Sequence, residues 1–520
     1  MPAGRLFSLH VIARLRDFFD ERSHWQRRLW NVGLVLSLRE VLEAAEEQGR
    51  ALHPAAVANL AASVKALSAA DPGAGGELER KALARYLGGD LAVNGADYEG
   101  VRVALSDIEV HYLERWAQVL KTNPSPPSRE RTARALASHL LDAGRTPAFL
   151  TRWLRDLLAA GEITAPELFE YAAYLLTQPP TAHEVFVPFE IEPQLRSVRP
   201  PEWIRSGEAS RWLRGAGHRG IRQRGGLLMQ FEGYGHEEAV GLAADVTDRF
   251  LARVSVGERT FVRFAPLAYL AGGCTASLIR GRRVEVRALT RENKVSELQG
   301  GDSVDAALEL LSHLQTGPPA VAAAAGWSAI ESLLLGPGDE DESNIVAAER
   351  LASLVACSWP RAELTDLAWA RITALEDGLA QELSALKTNR ERATRVAEEF
   401  EQQARLQEFK SGSDIAACYR LRPVFSDPRK VLMGIRFHAA ESLRRLYRQR
   451  NLVLHGGRTQ AVALGAALRT SSPLVGAGID RIVHGALVKN LRPMELYAKA
   501  DFEIARSGSD GAPPIVDLLE

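Results

Sequence analysis

Leu446-Tyr447-Arg448-Gln449-Arg450-Asn451-Leu452-Val453-Leu454-His455-Gly456-Gly457 is the stretch on which the reading of this 520-residue chain turns. It closes a basic amphipathic helix. Helical geometry puts Asn451 and His455, four residues apart, on one face. Arg450 is rotated from His455 by roughly 140°, yet its long side chain can swing back. Gly456-Gly457 is a stop signal, because glycine adopts the left-handed conformation that ends helices. His455 therefore falls at a helix C-terminus, where the last carbonyls stabilise a protonated imidazole. Together Arg450, Asn451 and His455 have the chemistry to bind a phosphate, orient it and move a proton.

The spacing Arg-Asn-x-x-x-His resembles the Arg-polar-x-x-x-His motif of HEPN domains, an all-helical superfamily found in many RNA-cleaving toxins and antiviral effectors. Upstream, Gly326-Trp327-Ser328-Ala329-Ile330-Glu331-Ser332-Leu333-Leu334 and Ala348-Glu349-Arg350-Leu351-Ala352 resemble the first two helices of HEPN domains in the Abi and ApeA-like phage-defence group. The resemblance covers the C-terminal part of the chain. It implies a metal-independent endoribonuclease that leaves 2′,3′-cyclic phosphate ends and acts as an anti-phage (abortive infection) or toxin effector. Arg450, Asn451 and His455 would be its catalytic set, with no metal and no cofactor.

Such cleavage turns the substrate's own 2′-hydroxyl on the adjacent phosphate. It needs a base, an acid and a cation for the charge that develops. Histidine suits the proton work and arginine the phosphate. One histidine cannot readily be base and acid from opposite sides. The resemblance implies a composite site at a two-fold interface, hence a homodimer or higher even oligomer. Arg444, Arg445 and Arg448 would supply a positive field for RNA. Tyr447 would either stack on a base or pack in the core, and packing is the preferred reading. The expected partners are an RNA substrate and a phage-derived or co-encoded activator. The alternative is a non-catalytic HEPN module that dimerises, senses or scaffolds a separate effector.

Composition sets outer bounds. A chain of 520 residues exceeds one ordinary core. Its 46% hydrophobic and 25% charged content is that of a globular protein. A net charge of −1 gives no global polycation, so RNA affinity must be local. Cys274, Cys357 and Cys418 lie far apart, without zinc or disulfide spacing, which favours a reducing cytosol. No apolar run approaches the roughly 20 residues of a membrane span, so a cytoplasmic protein is expected.

The fold class expected is mainly α. Residues 1–178 read as successive helices, 179–300 as a small α+β domain, 301–505 as the HEPN-like helical domain, and 506–520 as a flexible tail. Arg14, Arg16, Arg27 and Arg28 are either a basic face for RNA or a solvated helix face. Strands are expected at 185–191, 227–231, 260–264 and 283–289, with a helix over 236–254. Pro188 points to an edge position or a bulge. A sensor role fits the position of this domain. Glu331 interrupts an otherwise apolar helix and needs a partner. The two readings are an ion pair with Arg350, which is preferred, and a place beside Arg450. Ser343 is a cap candidate after an acidic loop at 336–342. Leu375, Leu379, Leu383 and Leu386 recur at helical spacing, so about 362–410 reads as a long coiled-coil-like arm. A third functional reading makes that arm the active part, docking a separate effector.

Overall fold

The computed structural model describes residues 3–258, 260–296, 302–336, 339, 345–402, 409 and 411–520. The first half begins with helices α1 (Ala3–Phe19), α2 (Leu34–Glu46), α3 (Pro54–Ala69), α4 (Glu77–Tyr86), α5 (Ala96–Thr122) and α6 (Arg129–Asp142). Helices α7 (Pro147–Ala160) and α8 (Ala165–Thr177) lead into β1 (Thr181–Ile191) and β2 (Trp203–Ile204). Then come α9 (Ser206–Gly215), β3 (Gly226–Gly233), α10 (His236–Arg253), β4 (Arg263–Phe264), β5 (Leu267–Leu270) and β6 (Thr275–Ser277). The second half is helical: α11 (Arg287–Arg291), α12 (Ser303–Thr316), α13 (Pro319–Leu334), α14 (Ile345–Ala374), α15 (Gly378–Ala385) and α16 (Asn389–Gln402). It ends with α17 (Gly412–Ser426), α18 (Pro428–Leu454), α19 (Leu464–Lys489) and α20 (Pro493–Arg506). The fold is mainly α with one small antiparallel sheet. None of the described helices is long and apolar enough to cross a membrane.

The chain forms two compact units, and they are not the sequential domains expected. One gathers Met1–Asp142, Glu162–Ala172 and Arg282–Glu520; the other holds Ala143–Gly161 and Ala173–Gly281. The N-terminal helices join the C-terminal ones because their buried charges are answered there. Arg27 Nε donates to Glu363 at 3.0 Å and its Nη1 to Asp414 at 2.8 Å. Arg420 also bonds Glu363 and lies 3.6 Å from Glu130 of α6, while Arg14 is paired within the N-terminal helices, with Asp17 and, at 2.9 Å, with Glu130. Burial alone would raise the Glu363 carboxyl, but the Arg420 and Arg27 guanidinia outweigh it and the net shift is downward. Arg14 and Arg27 are thus neither an RNA face nor a solvated one. They are buried ions.

In the helical unit, α12 and α13 pack as a close hairpin. A Cβ at Gly326 would come within 2.9 Å of the Leu314 side chain, so glycine sets that approach. Helices α13, α14, α18, α19 and α20 pack against one another around Trp327, Leu351, Leu443 and Ile479, all fully buried. The expected arm is not formed. Helix α14 runs on through Pro360 to Ala374, and Glu376-Asp377-Gly378 then turns the chain back. Asp377 caps α15 by accepting from Ala380 N at 2.8 Å. Of the stripe read as a coiled-coil seam, Leu383 is buried and Leu375, Leu379 and Leu386 are half-buried, and Ala393 and Val396 of α16 are buried as well. Ser411 immediately precedes α17, and Pro423 lies inside that helix. Ser343 and most of the 336–342 loop lie outside the described residues.

The tail expected at 506–520 is docked. Val516, Leu518 and Leu519 are no more than 2% exposed. Leu519 N donates to Glu503 at 2.7 Å, and the Glu520 carboxylate takes Lys489 at 3.1 Å and Arg361.

In the other unit the strands run β2-β3-β1-β5-β6, with β4 also paired to β1. Pro188 therefore lies in a central strand, not at an edge, and a register shift follows between Phe189 and Ile191. Val185, Val187 and Phe189 join the core that includes Ala239 and Val240 of α10. Phe186 points the other way, to Ala209 and Leu213 of α9. Covered on both faces, β1 reads as a continuous apolar run. The strand expected at 283–289 is absent: this segment includes the start of α11 and belongs to the helical unit. At 260–264 only Arg263–Phe264 pairs.

Candidate functional site

Helix α18 is started by Pro428, with Asp427 accepting from Lys430 N at 3.1 Å, and ends at Leu454 with His455 as its cap residue. Gly457 takes the left-handed turn at φ 68°, one residue later than Gly456. Gly456 is demanded for another reason. A Cβ there would lie 2.7 Å from the Leu452 carbonyl oxygen. His455 N donates to the Asn451 carbonyl at 2.9 Å, and Arg458 N donates to the Leu452 carbonyl at 2.9 Å. These bonds hold the imidazole at the exposed end of the helix.

Arg450, Asn451 and His455 are brought together. Arg450 Nη1 donates to Asn451 Oδ1 at 2.8 Å and faces His455 Nε2 at 3.4 Å. A guanidinium N–H can only donate, so Nε2 accepts in this geometry. Asn451 is buried at 7% exposure, whereas His455 is exposed. The amide is thus fixed and the ring is reachable. Arg450 Nη2 lies 4.0 Å from Glu331 Oε2 of α13. The preferred pairing of Glu331 with Arg350 is not formed. Arg350 is taken by Asp339, at 2.5 and 2.9 Å, and donates to the Leu334 carbonyl at 2.8 Å. Asp339 is nearer to Arg350 along the fold, and Glu331 faces the motif instead.

The other predicted RNA contacts are otherwise engaged. Arg445 and Arg448 are buried, and both donate through Nε to Glu40 of α2, at 2.8 and 3.0 Å. Burial would raise the Glu40 carboxyl, but the two guanidinia prevail and depress it. Arg444 pairs with Glu441 at 2.6 Å and with Glu349. Arg445 and Arg448, read as part of a positive field, are therefore buried against Glu40 of α2, and Arg444 is paired within the helical unit. Tyr447 packs on Trp327 with ring centroids 4.9 Å apart, in keeping with the packing role preferred for it. His484 lies near Arg291 at 3.2 Å and Glu292 at 3.4 Å.

Two residues were not foreseen. Glu40 is a charge set in the apolar stripe of α2, and that interruption was its signal. Arg50 follows α2 with its side chain 70% exposed, and its Nη2 reaches the Gly456 carbonyl at 3.5 Å. Nothing in the sequence near His455 points to it. Comparisons with protein-family models, curated proteins and solved structures find no match to this chain.

Proposed function

We propose that the chain is a metal-independent endoribonuclease of HEPN type, acting in anti-phage defence or as a toxin. The observation that carries this reading is the arrangement of Arg450, which reaches both Asn451 Oδ1 and His455 Nε2 at an exposed helix end. A guanidinium beside an imidazole is what an in-line attack by a 2′-hydroxyl requires: a fixed cation for the phosphate and a proton acceptor next to it. Asn451, buried and bonded, restricts the Arg450 side chain. Glu331, 4.0 Å away, limits its swing further without occupying it bidentately. The second proton carrier would come from His455 of another copy.

A second reading is favoured by a specific observation. Arg444, Arg445 and Arg448 are all held in ion pairs with carboxylates of the chain itself, which leaves little of their charge open to RNA on α18. That fits a non-catalytic HEPN module. The test is RNA cleavage by the full chain with EDTA present, comparing wild type with His455→Ala and identifying the ends. Cleavage by wild type alone, leaving 2′,3′-cyclic phosphates, supports the ribonuclease. Equal cleavage by the variant removes it, and no cleavage by either favours the binding module.

A further inference from the structure

Within the helical unit, α3, α6 and α18 enclose a cavity of about 460 Å³. Its volume falls in the range of roughly 300–1,000 Å³ typical of small-molecule sites. One part of its lining is apolar: Trp30, Leu60, Val64, Leu67 and Phe437. Phe437 is 53% exposed and Leu67 36% exposed. Large apolar side chains left open at a cavity mouth offer a seat to a planar ring.

The polar part of the lining is cationic in what it leaves available. Glu130 is taken by Arg14 at 2.9 Å and His10 at 3.2 Å, and Glu441 by Arg444 at 2.6 Å. Asp71 accepts from Gly73 N, the Tyr112 hydroxyl and the Trp116 ring N–H, at 2.9, 3.0 and 2.8 Å. Arg445 is held by Glu40. Two guanidinia remain. Arg134 has only a 3.8 Å contact with Glu130, and Arg131 forms no ion pair among the described residues. A shallower cavity of about 620 Å³, lined by Arg80, Asn123 and Ser125, shares Ala70, Ser128 and Arg131 with the first. Arg131 stands at the junction of the two.

We infer that this cavity binds an aromatic phosphomonoester of mononucleotide size, its ring against the Trp30–Leu67–Phe437 wall and its phosphate between Arg131 and Arg134. Forked guanidinia are suited to phosphate oxygens, and two of them can share one group. The neighbouring His438 is held at about 4 by burial and by the Arg134 guanidinium, so it meets the ligand as a neutral ring. The inference is independent of the ribonuclease reading, since none of Arg450, Asn451 and His455 lines the cavity.

Isothermal titration of the full chain with 5′-AMP, GMP, CMP and UMP tests it, with adenosine and inorganic phosphate as half-ligands. The expected result is saturable binding of at least one mononucleotide, with each of its halves at least tenfold weaker. Arg134→Ala should weaken binding tenfold or more at an unchanged melting temperature. Phe437→Ala, an exposed position, should weaken it several-fold and stands in if Arg134→Ala fails to fold. Three results overturn the inference: no binding of any mononucleotide at millimolar concentration, equal binding by folded variants, or inorganic phosphate bound as tightly as a mononucleotide.

Discussion

Glu40 and Arg448 lie 408 positions apart in the chain and are joined by a 3.0 Å hydrogen bond from the arginine Nε. Arg445 completes the triad at 2.8 Å. Removing the carboxylate leaves two buried guanidinia unanswered. Breaking a buried pair in this way costs about 3–5 kcal/mol. Glu40→Ala is therefore expected to lower the urea midpoint of the helical unit strongly. The triple variant Glu40→Met/Arg445→Leu/Arg448→Met should recover much of the loss.

At the motif, the prediction concerns shape more than charge. Arg450→Lys keeps a cation but loses the fork that reaches Asn451 Oδ1 and His455 Nε2 together. Cleavage of RNA by this variant should fall by about 100-fold or more, the scale of losing one charge-stabilising donor. Single-turnover rates, with RNA binding measured separately, check it.

Arg50 should act on binding. Its side chain is mostly exposed beside the Gly456 carbonyl. Arg50→Ala is expected to weaken RNA association and to reduce the slope of log K against log salt by about 1. An unchanged slope would mean that Arg50 touches no phosphate.

Acid should weaken the helical unit through two buried histidines. His139 is buried and stacked on Tyr112, and burial together with the Arg39 charge holds it at about 4. The unfolded imidazole titrates near 6.5, so between about pH 6.5 and 4 the unfolded state binds more protons. The histidine contribution to stability therefore falls as pH drops through that window, and the raised carboxyls of Glu43 and Glu503 oppose it. His438, also held at about 4, adds to the same limb. His139→Phe should flatten part of the slope, read as melting temperature against pH. Below this window Glu40 and Glu363, whose carboxyls are depressed, lose their contribution as pH falls through their folded-state values.

The C-terminal segment should behave as core. Leu518 and Leu519 are each 1% exposed. Leu518→Ala is expected to cost about 2–5 kcal/mol, the range for a buried leucine. Thermal melts and the rate of proteolysis within 507–520 provide the measurement.

How much was legible follows the range of each interaction. The strand at 185–191, the helix from His236 and the glycine stop after His455 are local, and the sequence carries them in periodicity and turn residues. The proximity of Arg450, Asn451 and His455 was legible for the same reason, since one helix end fixes all three. What the chain hides is the long-range pairing of charges. Arg445 and Arg448 look like a nucleic-acid face until Glu40 is placed against them. Glu331 had two candidate arginines, and only the fold decides that Asp339 takes one of them. The helical spacing of Leu375 to Leu386 is equally compatible with a projecting seam and with chain reversal onto α14. The outcome turned on the short Glu376-Asp377-Gly378 break.

The acidic half of the clamp on α18 is encoded at position 40, far from the segment that carries Arg450 and His455. That segment is consequently not a transferable cassette. Grafted behind a foreign N-terminal region, it would bring two unanswered cations into the new interface, and chimaeras in which the glutamate travels with it should be the more stable. A crossover between position 40 and α18 therefore separates a charge from the partners that answer it.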